Sequence, residues 1–281
     1  MNEEIKYHLR NLVTLRTFAP RFSDNLFFIF GCQRSGTTLL LSILNAHPQI
    51  HSIDESEFPS PYPFPSAQRL MLAKLKKEYL CLKMLEHSNK LDFLKKFYPK
   101  AKIVWPVRNP YSAIASMLDL VNSRSRTNWI ERCAKTEIER LKPFYPETLG
   151  PLGQYDLDKL STIELGAIYW SYKNSYPKFM EDSGFSVFKF SYENLITNHR
   201  ETLEDIVNFL EIEWHDNLLN FHEVNPSKSL AGGTRTDRPI NPTKTNSLKG
   251  LNEQDVETIN QICQSVMQDY NYPILDKLSS N

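Results

Sequence analysis

Three runs of apolar residues, each closed by a polar turn, punctuate the first two thirds of the chain. Leu26 to Phe30 ends at Gly31, Lys102 to Val107 ends at Arg108, and Phe185 to Phe190 runs into "SYENL". Unbroken apolar runs of this length read as strands buried on both faces. Helical spacing follows each one: Leu40, Ile43 and Leu44 within 36–46, the stretch "YSAIASMLDL" behind Pro110, and Leu203, Ile206, Val207 and Leu210. Proline suits a first helical turn, and the last group lines one amphipathic stripe. Strands alternating with helices imply right-handed crossovers, hence an α/β sandwich of three layers with a central parallel sheet. Ligands in such folds bind at the carboxyl ends of the strands, where all three polar turns lie. Longer helical stretches, Ser161 to Met180 and Glu253 to Asp269, carry aromatic residues that read as packing. The interval 121–154 mixes charge, proline and aromatics and reads either as a lid or as a surface excursion.

Composition narrows the class without choosing a function. A chain of 281 residues suits one domain with a full α/β core. Lys plus Arg, 33, equals Asp plus Glu, 33, so no global field draws the protein to nucleic acid or to an anionic membrane. Any anion site has to be local. Cys32, Cys81, Cys133 and Cys263 show no CxxC pair, which suits reduced thiols in a cytoplasmic protein and gives no metal-ligating set. The first residues read neither as a signal peptide nor as an anchor, and "LFFIFGC" is too short to cross a bilayer. "EFPSPYPFPS" reads as a proline-rich loop within the domain.

The first polar turn is the most informative. "GCQRSGTT", Gly31 to Thr38, fits the G-x-x-x-x-G frame of a phosphate-binding loop, with Thr37 where a nucleoside-triphosphate loop has lysine and Thr38 at its Ser/Thr position. Backbone N–H groups and the helix dipole still favour an anion there. Arg34 supplies the fixed charge. Without the lysine, magnesium-dependent ATP chemistry is poorly supported, and a ligand with one phosphate and one further acid group suits the loop better. The second turn, "VRNPYSAIAS", sets Arg108 at a strand end and Ser116 eight residues on, about two helical turns. Both can border one pocket, and Ser112 could also reach it.

"RSGTTLLLSILNAHP" resembles the 5′-phosphosulfate loop of the sulfotransferases, specifically the tyrosylprotein and related Golgi-type branch, which carries arginine in this loop. The resemblance implies a P-loop NTPase-like fold, one sulfotransferase domain over 1–281 with its nucleotide-binding core at about 26–272, and transfer of the sulfuryl group of 3′-phosphoadenylyl sulfate (PAPS) to a hydroxyl. It assigns Arg34, Ser35, Gly36, Thr37 and Thr38 to the 5′-phosphosulfate, and Arg108 with Ser116 to the 3′-phosphate that separates this donor from ATP. Tyr192 in "FSYENL" is similar to a family tyrosine near the nucleotide. "GGTRTDRPINPTKTNSLKG" resembles the segment that folds over it, making Arg235, Arg238, Lys244 and Lys249 candidates for the 3′-phosphate.

Sulfuryl transfer needs a base for the acceptor proton and cations for charge on the bridging oxygen. No metal is required. The stretch "AHPQIHSIDESEF" is similar to the one carrying the catalytic glutamate of the tyrosylprotein branch, and the match falls on Glu55 with Asp54 beside it. Read alone, "IDESE" is an acidic surface loop. The soluble branch uses a histidine, so His47, His51 and His87 stand as alternatives. Lys83, 25 positions before Arg108, is similar in placement to the family's transition-state lysine, although "CLK" departs from the usual context; a solvated helix lysine is the plainer reading. The family's stabilising serine has no clear counterpart, with Thr234 nearest. The implied partners are PAPS, released as adenosine 3′,5′-bisphosphate, and a hydroxyl acceptor: a phenol or tyrosyl group, a sugar or a small alcohol. A P-loop kinase and a non-catalytic nucleotide-binding protein are the rival readings.

Overall fold

The structure is a computed structural model and describes residues 23–57, 64–65, 67–122, 125–141, 156–224, 235–241 and 248–276. Five strands form its sheet: β1 (Leu26–Ile29), β2 (Ile50–Asp54), β3 (Tyr79–Lys83), β4 (Lys102–Val107) and β5 (Val187–Ser191). They lie in the order β2-β3-β1-β4-β5, and every pairing is parallel. The helices are α1 (Thr37–Asn45), α2 (Ala67–Lys74), α3 (Leu91–Phe97), α4 (Pro110–Leu118), α5 (Lys135–Leu141), α6 (Thr162–Asp182), α7 (Tyr192–Thr197), α8 (His199–Leu210), α9 (Phe221–Val224) and α10 (Glu253–Asp269). This is the α/β sandwich that the alternating pattern implies.

Successive side chains of a strand point to opposite faces, and the apolar runs obey that rule. Leu26, Phe28 and Phe30 pack on one face with Ile103, Trp105 and the residues of α4, α6 and α10. Phe27, Ile29 and Val104 pack on the other with Leu40, Ile43 and Leu44 of α1 and Leu203, Ile206 and Val207 of α8. Because both faces are covered, polar alternation is absent and the run is continuous. Full burial of a side chain such as Phe28 contributes roughly 1.5–3 kcal/mol. The long helix α6 starts at a capping box in which Ser161 and Glu164 satisfy each other's backbone N–H, and α10 starts at another formed by Asn252 and Asp255.

Two strands were not expected from the sequence. "IHSID" is β2, at one edge of the sheet with Ile50 and Ile53 buried and its polar residues partly exposed, and "YLCLK" is β3, so Lys83 ends a strand and is not a solvated helix lysine. In the interval 121–154, a π-helical turn at Ile130–Ala134 leads into α5, and Ile130, Ala134, Ile138 and Leu141 are buried against the core. That part of it is packed structure. The carboxyl edge of the sheet gathers the ends of β1 to β4 and so assembles the residues considered next.

Candidate functional site

After β1 the chain turns through Gly31, and Arg34 takes a left-handed conformation, φ 67°, before Gly36 at φ 86° caps α1. No side chain caps this helix. The first N–H groups of α1 therefore point out of the loop, as an anion site requires. A Cβ on Gly36 would fall 2.4 Å from Cδ2 of Tyr192. Only a glycine lets the tyrosine ring lie on the loop.

Across the sheet, Arg108 follows β4 and is 8 % exposed. Its main chain is pinned: Trp170 Nε1 donates to the Arg108 carbonyl at 2.9 Å, and Asn109 N donates to Glu193 Oε1 at 3.1 Å. Asn109 caps α4 through Tyr111 N and Ser112 N. The Arg108 guanidinium donates through Nη1 to the backbone carbonyl of Arg34 at 3.0 Å and lies 4.6 Å over the Tyr192 ring. Arg34 Nε in turn donates to Ser116 Oγ at 2.9 Å. Loop, strand end and helix α4 are thus tied into one wall. Burial, and then the neighbouring charge of Arg108, hold the Arg34 guanidinium below its ordinary pKa. Two cations crowded this way are relieved by an anion.

This wall borders a cavity of about 240 Å³ lined by Arg34, Gly36, Thr37, Thr38, Arg108, Tyr192, Arg235 and Arg238, together with the apolar Leu39, Ile196, Phe221 and Ile240. Most of the nucleotide-binding residues expected from the sequence are there. Ser35 is buried behind the loop, and Ser116 touches the site through Arg34. Ser112 is buried within α4, and Ser116 accepts from Arg34 of the loop. Arg235 pairs with Asp237 at 2.7 Å, and Lys249 is exposed with Asp119 at 3.8 Å. Lys244 and Thr234 lie outside the described residues. The sequence reading missed Ile196 of α7 and Phe221 of α9, two short helices that it did not separate from their surroundings.

Toward the β2 flank, Lys83 Nζ donates to Asp54 Oδ2 at 2.6 Å, with the lysine 4 % exposed. Asp54 Oδ1 also accepts from Ser56 N, so that carboxylate is committed. Glu55 opens the short turn after β2 and is 7 % exposed; its Oε2 accepts from Glu86 N at 3.2 Å. Burial pushes its pKa from the ordinary 4.5 up to about 7, while Lys83 and the Glu86 hydrogen bond oppose the rise. Of the histidines, His47 uses Nε2 on Glu213 O and Nδ1 on Gln49 N, a helix-end role. His51 lies within β2, and His87 is buried edge-on to Phe64.

Behind Glu55 stands a charged group that the sequence reading did not single out. Lys173 of α6 is wholly buried and donates to Leu85 O at 2.6 Å and Ser88 Oγ at 2.7 Å. Arg140 of α5 bonds Glu86 at 3.2 Å and pairs with Glu137. A lysine amid the aromatics "YWSYKNSY" was a signal, since a fully buried lysine is rare unless paired.

Set against known proteins, a family model described as "Sulfotransferase family" matches residues 27–71 and 65–216. The chain belongs to the sulfotransferase family, whose members transfer a sulfuryl group. Among solved structures it is similar to a sulfotransferase domain from the curacin biosynthetic pathway, with TM-score 0.56, 14 % identity, and coverage of 89 % of this chain and 98 % of that one. Mouse sulfotransferase SULT7A1 complexed with PAP gives TM-score 0.54 at 14 % identity, covering 93 % and 89 %. The sulfotransferase domain of the Synechococcus PCC 7002 olefin synthase gives TM-score 0.54 at 15 % identity, covering 89 % and 96 %. Identities this low show a shared fold. No curated protein sequence matches the chain. No described helix is long and apolar enough to cross a membrane.

Proposed function

We propose that the protein is a PAPS-dependent sulfotransferase acting on a hydroxyl acceptor. The observation that carries this reading is the tie between Arg108, Arg34 and Ser116, which joins the loop after β1 to the strand end of β4 around one arginine-lined cavity. The guanidinium groups of Arg34, Arg108, Arg235 and Arg238 line this cavity and suit a ligand with several negative charges at two points. In this reading Arg34, Ser35, Gly36, Thr37 and Thr38 take the 5′-phosphosulfate, Arg108 and Ser116 the 3′-phosphate, and Tyr192, Arg238 and Lys244 complete the nucleotide site. The bound donor supplies an activated sulfuryl group.

Glu55 is the proposed base. As the acceptor oxygen bonds to sulfur and the bridging sulfur–oxygen bond breaks, the hydroxyl proton passes to Glu55 and the negative charge leaves on the bisphosphate. Its pKa near 7 supports this role, because an efficient base titrates close to the working pH. Lys83, fixed by Asp54, offsets leaving-group charge with Arg34. An arginine in the loop and a glutamate in the base position favour the tyrosylprotein-like branch over the histidine-using one.

Transfer of label from PAPS across phenols, tyrosine peptides, sugars and aliphatic alcohols tests the activity and identifies the acceptor. Binding of adenosine 3′,5′-bisphosphate should exceed that of ATP with magnesium. The reverse preference would turn the assignment to a kinase. Glu55→Gln should retain the bisphosphate and lose turnover, and a near-normal rate would remove Glu55 as base.

A further inference from the structure

The turn that follows β3 receives support from a direction the sulfuryl-transfer reading does not use. Residues Leu85 to His87 form a single 3-10 turn directly after the strand that ends in Lys83. One of its N–H groups, that of Glu86, is donated to Glu55 Oε2. From the opposite side, Lys173 reaches out of the centre of α6 and holds the same turn at Leu85 O and Ser88 Oγ. The lysine has no exposed surface. Burying an ammonium group is costly unless its donors are met, so a fold that keeps one here gains something that a methionine would not give.

We infer that Lys173 is a positioning residue for the Glu55 carboxyl, acting through the Leu85–Ser88 turn whose Glu86 N–H it fixes against that carboxyl. The inference rests on the reading of Glu55 as base. Lys173 stands across the turn from the acceptor proton and acts through the peptide between the two. The titratable groups around this relay are Cys32 from the loop after β1, Asp54 from β2, Lys83 from β3, Glu86 and His87 from the turn, Glu137 and Arg140 from α5, and Lys173 itself from α6. Burial holds the Lys173 amine below its ordinary pKa and Arg140 acts in the same sense, while Glu137, Cys32 and Glu55 oppose them. A hydrogen bond donated to a carboxylate stabilises its charged form. Loosening the turn therefore moves the Glu55 titration upward.

The test uses carbon-13 NMR of the full chain labelled at glutamate carboxyls, with the Glu55 resonance assigned by its absence in Glu55→Gln. Lys173→Met should raise the Glu55 midpoint by roughly one pH unit, the scale of one lost charge-stabilising contact. Hydrogen exchange at the Glu86 amide should speed up roughly tenfold. Affinity for adenosine 3′,5′-bisphosphate should stay within about twofold, because the nucleotide cavity is built on β1 and β4. Ser88→Ala removes one of the two acceptors without touching the lysine, and should give a smaller shift of the same sign even if Lys173→Met does not fold. An unmoved Glu55 midpoint in Ser88→Ala, or in a folded Lys173→Met, overturns the relay. A Glu55→Gln enzyme with normal turnover would instead defeat the base assignment while leaving the measured coupling in place.

Discussion

Asp54 and Lys83 are register partners across the parallel pair β2–β3, and their side chains meet at 2.6 Å. The sheet itself therefore sets the distance of the ion pair. Lys83 is almost wholly buried, while Asp54 retains some access to solvent. Removing the aspartate strands a buried charge, whereas removing the lysine leaves a carboxylate that water can still reach. Asp54→Asn should cost about 2–4 kcal/mol and Lys83→Met distinctly less. Urea unfolding of both variants checks the order, and a larger loss for Lys83→Met would mean that the buried lysine is solvated in another way.

Arg108 combines a hydrogen bond to the Arg34 carbonyl with a stacked position over Tyr192. Arg108→Ala should weaken binding of adenosine 3′,5′-bisphosphate about 30- to 100-fold, in line with one lost charge-assisted contact of ~2–3 kcal/mol. Arg108→Lys keeps the charge and loses the planar fork, so it should recover only part of the affinity. Calorimetric titration at low and high salt reads both effects. Full recovery with lysine would reduce the role of Arg108 to charge alone.

The raised titration of Glu55 bears on stability as well as on rate. Its acid form is favoured in the fold, so the proton binds the native state more tightly than the unfolded chain. Whatever this favours is complete below pH 4.5 and is lost as the pH climbs through about 7. Glu55→Gln, neutral at every pH, should accordingly gain a few kcal/mol over the native protein at pH 8 and almost nothing at pH 4. With Glu55 as the proposed base, turnover of the native protein should rise over the same interval as that carboxyl loses its proton. Equal stability of the two proteins at pH 8 would mean that the carboxyl is better solvated than its burial implies.

Gly36 offers a test of the loop's shape. Its φ of 86° disfavours any side chain, and a methyl would also run into the Tyr192 ring. Gly36→Ala should lose ~2 kcal/mol or more of stability through the two effects together. Tyr192→Ala removes the collision at its own cost in ring contacts, so in a double-mutant cycle the Gly36→Ala penalty should be smaller in the Tyr192→Ala background than in the native protein. Thermal unfolding of the single and double variants decides it. An unchanged Gly36→Ala penalty in the Tyr192→Ala background would place the whole of it in the backbone.

The strands β1 and β4 were legible because both faces are covered and the apolar run is unbroken; β4 was read to the residue. The arginines at their ends followed directly. Strand β2 escaped notice because "IHSID" is short, lies at the sheet edge and mixes polar positions with apolar ones. For the same reason "IDESE" looked like a surface loop, although Glu55 is buried once the turn after β3 closes over it. Lys83 was singled out by resemblance alone, with a solvated helix lysine as the alternative, since nothing local to "YLCLK" announces the aspartate 29 residues earlier that pairs with it. Lys173 was hidden among aromatics by the same limit: what makes a buried charge tolerable comes from elsewhere in the chain.

Strand order differs from chain order in a way that separates two tasks. The part of the chain from β2 through the turn after β3 supplies Glu55 and Lys83, while the cation wall around Tyr192 is assembled from the loop after β1, from β4 with α4, and from the start of α7. A single uninterrupted cassette thus carries one flank of the sheet's carboxyl edge. Such a cassette can be exchanged by one crossover event between related genes, or by one graft at the bench, with the grip on the opposite flank left unaltered. Lys173 of α6 and Arg140 of α5 reach into the cassette and would have to be matched by whatever is brought in.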